Sequence, residues 1–183
     1  MYSTSRRGFS LLELIVSVAI FSMVMLAVTS AYLTLIALDR ETRATNDLST
    51  NLSFAMESMS RAIRTGTNYL CLSGGDGSTC SRFSFTDNQG QAVVYFLKTT
   101  DGTVARCVGS GACNDNTAIS LTDPRIKFDA TSGLRFAVHG AGSTADQDQP
   151  YVTIALRGTM VASPTRSISF AIQTGVSQRT LDL

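Results

Sequence analysis

The feature that most constrains this chain is a long apolar run near its N-terminus, preceded by a single acid. Residues 14–38 are 25 consecutive residues without a charged side chain, and Glu13 immediately precedes them. As a helix this run would be about 37 Å long, more than the ~30 Å hydrocarbon thickness of a bilayer. A charged side chain deep in lipid costs about 2.5–3.5 kcal/mol, so such residues are rare and usually have a partner. We therefore predict a membrane-spanning helix and a functional role for Glu13.

The charges on either side of the apolar run predict its orientation. Arg6 and Arg7 precede the run, whereas residues 39–43 carry two bases and two acids and so have no net charge. Positively charged flanks stay on the cytoplasmic side of a membrane. We expect a single-pass protein of the inner membrane with a cytoplasmic N-terminus and a periplasmic or extracellular body.

Three ordinary explanations of this N-terminus compete with a specialised one. A secretory signal peptide has a shorter apolar region and a small-residue cleavage site, and no such site follows residue 38. Residues 5–9 also resemble a twin-arginine export signal, but an acid stands inside the apolar region and no cleavage motif follows. A plain membrane anchor explains the length of the run and leaves Glu13 without a role.

The residues at positions 5–21, SRRGFSLLELIVSVAIF, resemble the class III leader of type IV pilins and type II secretion pseudopilins. The matching features are a short basic leader with Arg6 and Arg7, Gly8 before the cut, Phe9 as the new N-terminus, and Glu13. The resemblance implies that a prepilin peptidase cleaves after Gly8 and N-methylates Phe9. It also implies that Glu13 meets the terminal amine of a neighbouring subunit in the filament. An inner-membrane assembly platform with a cytoplasmic ATPase is a further implied partner.

The sequence predicts one long helix over residues 9–65, because no glycine or proline interrupts that range and Gly66 follows it. Many members of the pilin family have a proline at the position of Ser30, and that proline helps the helix unwind on assembly. We therefore do not infer helix unwinding for this chain. The outer half of the helix is amphipathic, with apolar residues three and four apart. We expect this stripe to cover a sheet, with a partner-helix surface as the alternative; it consists of Leu48, Leu52, Ala55, Met56, Met59 and Ile63.

The residues after Gly66 predict a β-rich body. Residues 82–86, 91–98 and 103–108 alternate or run apolar and are separated by turn sequences, which predicts a three-stranded antiparallel meander. Further strands are expected at residues 126–129, 134–138, 151–160 and 166–174. About 120 residues remain for this body, enough for one hydrophobic core and not for two. The expected fold class is α+β: a long helix packed on a mostly antiparallel sheet, shaped like a lollipop.

The four cysteines form two close pairs outside the apolar run, Cys71 with Cys80 and Cys107 with Cys113. An even count on the exported side of a membrane favours two local disulfides in an oxidising compartment. Free thiols and a metal site are the alternatives, but spacings of eight and five intervening residues match no common zinc pattern. Each disulfide would close only a short loop and give modest stabilisation.

The composition argues against several other functions. The formal charge of +1 falls to −1 without Arg6 and Arg7, which argues against nucleic-acid binding. His139 is the one histidine and has no nucleophile at a recognisable spacing, so no catalytic residue, cofactor or resident metal is predicted. Asp146 with Asp148, or residues 114–116, are weak candidates for calcium because neither follows the EF-hand order.

These observations predict a structural subunit, a minor pilin or minor pseudopilin, whose partners are the prepilin peptidase and other pilin subunits. Its expected parts are a leader at 1–8, a transmembrane and assembly segment at 9–38, an amphipathic helix at 39–65 and an exported body at 66–183. The paired strands near the C-terminus resemble the ending of minor pilins and pseudopilins. One alternative is a tip adhesin or DNA-uptake subunit that presents the disulfide loops, with Arg82 and Arg106 nearby. The other is a membrane-anchored or exported enzyme.

Overall fold

A computed structural model describes residue 8 and residues 10–72, 79–109, 113–141, 149–163 and 166–179. The chain forms two compact units, Met1–Arg43 and Ala44–Leu183. One helix, α1 (Leu11–Arg64, 54 residues), contributes to both units. The architecture is α+β, with the helix packed against antiparallel sheets, which confirms the predicted fold class.

The amphipathic stripe of α1 forms the helical side of the core. Six residues of the helix are buried, and they are the six that the spacing predicts: Leu48, Leu52, Ala55, Met56, Met59 and Ile63. Their side chains share one face because residues three and four apart lie above one another on a helix. The expectation that this stripe packs within the molecule is therefore confirmed.

The first sheet has the strand order β1-β3-β4-β5-β6, and all of its pairs are antiparallel. The predicted meander forms its centre, and its two turns use glycines with positive φ, Gly90 at 76° and Gly102 at 67°. In the first turn the Asp87 carboxylate accepts hydrogen bonds from the backbone N–H groups of Gln89 and Gln91. The strands of this sheet are β1 (Thr67–Cys71), β3 (Phe83–Thr86), β4 (Ala92–Leu97), β5 (Val104–Val108) and β6 (Ile119–Ser120).

The second sheet has the order β10-β9-β8-β2, with β7 also paired to β9. Strand β9 changes neighbour along its length, from β8 at residues 151–156 to β7 at residues 158–160. Gly158 permits the change, because a Cβ there would lie 2.3 Å from the carbonyl oxygen of Lys127. The strands are β2 (Thr79–Cys80), β7 (Ile126–Phe128), β8 (Leu134–His139), β9 (Tyr151–Ser163) and β10 (Arg166–Ser177).

Two sequence predictions about the body need correction. The sequence predicts one sheet, but the described strands form two. Strand β3 pairs with β1 and not with β8 of the second sheet, so the two sheets stay separate. One core was expected, but a second apolar cluster lies on the opposite face of the first sheet. It consists of Val94, Phe96, Ala105, Cys107 and Ala118, with Cys113 packed against it.

The main core joins α1 to both sheets. Phe83 of the first sheet stacks on Phe136 of the second, with ring centroids 5.1 Å apart. At the end of α1 the buried hydroxyl of Tyr69 donates a hydrogen bond to the carbonyl of Ile63 at 2.6 Å. Burial raises the pKa of the Tyr69 hydroxyl, so this donor stays protonated over the ordinary pH range.

Both close cysteine pairs are disulfide-bonded, with Cα atoms 5.7 Å apart for Cys71–Cys80 and 5.8 Å apart for Cys107–Cys113. The first bond has a structural role that its short loop does not suggest. Cys71 ends β1 in one sheet and Cys80 ends β2 in the other, so this bond links the two sheets covalently. The second bond closes a loop beside the smaller apolar cluster.

We predict that Met59→Ala lowers the free energy of unfolding by about 2–5 kcal/mol, because it opens a cavity at a side chain that is fully buried. The matched control is Phe54→Ala on the same helix, where the ring is 66% exposed and a change within about 0.5 kcal/mol is expected. Urea unfolding of the full chain in detergent, followed by near-UV circular dichroism, measures both variants. Equal losses would contradict the assignment of the core.

We also predict that removing the two disulfides has unequal effects. Loop-closure entropy alone gives about 2–3 kcal/mol for either bond, because their loops are similar in length. Replacing Cys71 and Cys80 by alanine should cost more than replacing Cys107 and Cys113, because only the first bond joins the two sheets. Urea midpoints of the two double variants give the comparison, and an equal loss would argue against the joining role.

Candidate functional site

The site begins where α1 begins. The N–H of Leu14 donates to the carbonyl of Ser10 at 3.2 Å, which places Ser10 at the N-cap of the helix. Glu13 lies in the first turn, where the helix dipole favours a negative charge. The spacing from Ser10 to Glu13 is also that of a capping box, a signal that the sequence interpretation missed.

Gly8 is exposed, and a Cβ built on it meets no other atom within 4 Å. Nothing in the folded chain around it therefore requires a glycine at this position. Phe9, Arg6 and Arg7 lie outside the described residues.

The helix beyond Glu13 presents a large uncovered apolar surface. In residues 11–38, 17 large apolar side chains are between 48% and 77% exposed. Water-soluble monomers rarely expose apolar patches of more than a few hundred Å², so a surface of this kind indicates a membrane or protein partner. The described chain has one helix long and apolar enough to cross a membrane, and the best window in it has a mean hydropathy of 2.6.

The serine and threonine hydroxyl groups of residues 17–42 have partners inside the helix itself. Each donates to a backbone carbonyl three or four residues earlier, at distances of 2.7–3.0 Å. Such bonds satisfy a polar group that would otherwise be costly in an apolar environment. The donors are Ser17, Ser22, Thr29, Ser30, Thr34 and Thr42.

Glu13 differs from these hydroxyls. Its backbone carbonyl accepts the Ser17 hydroxyl, but its carboxylate has no hydrogen-bond or ion-pair partner among the residues that the structure describes. It is the only charged side chain in residues 11–38. An ionised carboxylate in an apolar setting is costly without a counter-charge, and none of the described residues of the chain supplies one.

The two arginines near the disulfides are held by contacts within the body. The Arg82 guanidinium lies 4.4 Å from the centroid of the Phe96 ring and donates to the carbonyl of Cys113 at 2.8 Å. Arg106 is half-buried and faces Tyr95, whose pKa burial raises to about 12 while the nearby guanidinium lowers it. Both arginines are half-buried, so they do not form an exposed basic patch, which is one of the two features that would favour the adhesin hypothesis.

The other candidate residues form no metal-binding cluster in the described chain. Among those residues no three His, Cys, Asp or Glu side chains are grouped to hold a metal. The Asp115 carboxylate accepts hydrogen bonds from Thr99 and Thr100, which hold its pKa below the usual range, with Thr99 the main cause. Asp146 and Asp148 lie outside the described residues. His139 is exposed at the end of β8.

A family model described as the prokaryotic N-terminal methylation motif matches residues 3–29. No curated protein and no solved structure matches the chain. The matched residues include Gly8, Phe9 and Glu13, together with the first part of the exposed apolar surface.

The chain therefore carries the class III prepilin leader followed by a long apolar helix, and this combination supports the pilin and pseudopilin family. It supports a pilin-like or pseudopilin subunit and fits membrane anchoring with an extracellular body. Such a leader implies processing by a prepilin peptidase and assembly with other pilin subunits. The pilin-type family points to a structural protein and not to an enzyme.

Proposed function

We propose that this chain is a minor pilin or minor pseudopilin that is cleaved between Gly8 and Phe9, N-methylated on Phe9, and assembled into a filament through residues 9–38. The observation that carries the proposal is the Glu13 carboxylate, which has no partner among the described residues and lies at the start of an exposed apolar helix, within the matched motif. The type II secretion filament and the type IV pilus are the two systems in which such a subunit would act.

Cleavage after Gly8 would supply the counter-charge that Glu13 lacks. It creates a protonatable amine on Phe9, four residues before Glu13 and about one helical turn away. The amine of an adjacent subunit would pair with the carboxylate and offset the cost of burying it. Because removing one partner of a buried ion pair costs about 3–5 kcal/mol, subunits would be held at the stagger that brings the two charges together.

The exposed apolar side chains would supply cohesion between subunits. In a bilayer, lipid covers these side chains as well as protein does, so there is little hydrophobic force for helices to associate there. Once the helix leaves the membrane, each large side chain exposed to water costs about 1.5–3 kcal/mol. The side chains must then be covered by neighbouring helices, and a cytoplasmic ATPase on the assembly platform would supply the energy for extraction.

The proposal that this chain is a minor subunit rests on the strand pair near its C-terminus. Strands β9 and β10, of 13 and 12 residues, form a long antiparallel hairpin close to the C-terminus. This pairing is the feature whose sequence resembles the ending of minor pilins and pseudopilins. A minor subunit would be present in few copies, at the tip or start of the filament.

We predict that Glu13→Gln leaves leader cleavage largely intact and reduces incorporation into filaments by more than 100-fold. The side chain keeps its size and loses its charge, and an unpaired buried amine costs about 3–5 kcal/mol, where every 1.4 kcal/mol is a factor of ten. Quantitative immunoblotting of sheared filaments and of membranes measures incorporation and cleavage separately.

Ser17→Ala is the control for this experiment, because Ser17 lies one turn further along the same helix and its hydroxyl bonds only within the helix. It should be incorporated like the unmodified chain. Normal incorporation of Glu13→Gln would show that the charge has no role in assembly.

We also predict that Gly8→Ala is processed poorly or not at all and that Gly8→Leu blocks maturation. The folded chain leaves room for a side chain at Gly8, so a processing defect would reflect the peptidase and not misfolding. Mass spectrometry of the membrane-extracted protein should find an N-terminus at singly methylated Phe9 in the unmodified chain. A mature chain that begins at any other residue would refute the proposed maturation.

A further inference from the structure

The described structure leaves one long sheet edge open. Strand β10 pairs with β9 along its whole length, from Arg166↔Ser163 to Ser177↔Tyr151. On its other side β10 has no neighbour among the described strands. The other sheet edges are much shorter, with five residues in β1 and two each in β2 and β6.

This edge lacks the usual protection against pairing. Proteins guard exposed edges with charges, prolines, bulges or very short strands, because the free N–H and C=O groups of an edge are a template for another strand. Residues 167–177 contain no charged residue and no proline. The register with β9 is regular from Ser167 to Ser177.

The two faces of β10 differ in chemistry. The side chains on the core face continue the apolar ladder of the sheet, but four of the five are only half-buried, because no strand lies beyond them: Ile168, Phe170, Ile172 and Thr174, with Val176 buried. The side chains on the opposite face are small or polar and exposed: Ser167, Ser169, Ala171, Gln173, Gly175 and Ser177. A second strand with the same alternation of apolar and small side chains would extend both faces of the sheet.

We propose that β10 pairs antiparallel with β10 of a second copy of this chain, so that the two β10-β9-β8-β2 sheets become one continuous sheet. The strand is self-complementary about Ile172. In that register Ile172 faces its own copy, Phe170 faces Thr174 and Ile168 faces Val176, while the small residues of the other face oppose one another. No like charges meet, because the paired segment contains none.

The lengths of the sheet edges favour a second β10 strand as the pairing partner. Pairing β10 with another edge of the same chain would use at most the five residues of β1, whereas two β10 edges pair over eleven, residues 167–177. An isologous pair also closes on itself and leaves no long edge open. The proposal does not depend on leader cleavage or on Glu13.

The experiment is disulfide cross-linking of the full chain in its membrane. All four native cysteines are paired, so a single added cysteine is the only free thiol. Ile172→Cys places thiols on the two-fold axis, where antiparallel Cα atoms lie about 4.5–5.5 Å apart, within disulfide range. Thr159→Cys is the control, because Thr159 is exposed but lies on β9, which has strands on both sides.

We expect a covalent dimer after mild oxidation for Ile172→Cys and at least a tenfold lower yield for Thr159→Cys on a non-reducing gel. A yield no higher at position 172 than at position 159 would overturn the proposal. A cross-link at position 172 to a different protein would also overturn it, since the occupant would then not be a second copy. Normal filament incorporation alongside either result would leave the proposed function intact.

A pair of charge variants in the Ile172→Cys background tests the register. Ala171 and Gln173 oppose each other across the proposed axis on the exposed face. Ala171→Lys with Gln173→Lys should reduce the cross-link several-fold by repulsion, whereas Ala171→Lys with Gln173→Glu should restore it by attraction. Equal yields from the two double variants would exclude this register. Their urea midpoints should be similar, which separates pairing from stability.

Discussion

The structure depends on a difference between the two halves of α1, because only one of them has its apolar side chains covered by the rest of the chain. The apolar residues of the outer half of α1 are buried against two sheets of the same chain, whereas the 17 large side chains of residues 11–38 have no such cover. An isolated chain in water would pay a large free-energy cost for that surface, so the segment has to lie in lipid or against other proteins. Glu13 adds a second constraint, because an ionised carboxylate in that setting is costly and has no partner among the described residues. Membrane insertion and assembly are two ways of meeting the same requirement.

The contacts that hold the body together lie outside residues 11–38. Its core joins α1 to both sheets, the Cys71–Cys80 bond links the sheets covalently, and Tyr69 fastens the end of the helix to β1. None of these contacts uses residues 11–38. In the proposed assembly, the N-terminal segment would exchange lipid for protein while these contacts of the body stay in place.

The parts predicted from the sequence are those encoded by local pattern. The stripe from Leu48 to Ile63 follows from helical periodicity, the meander of β3, β4 and β5 from turn sequences between alternating strands, and the N-terminal site from a motif of adjacent residues. The parts that were missed depend on distant pairing. Strands β2 and β6 have only two residues each and exist because longer strands offer them an edge, and the division into two sheets is decided by whether β3 meets β1 or β8. The second apolar cluster was missed for a related reason, since strand β4 is buried on both faces and alternation alone cannot reveal that.

The hydroxyl groups of the N-terminal helix affect how easily this segment could move from lipid to a protein environment. Each serine or threonine of residues 11–42 donates a hydrogen bond to a backbone carbonyl of the same helix, so its acceptor moves with it. Moving from an oily to a protein-lined environment then requires no bond to be broken and remade at these positions. The serine and threonine side chains of this segment therefore keep the same partners in lipid and in protein. The Glu13 carboxylate has no partner among the described residues, so its stability depends on what surrounds it.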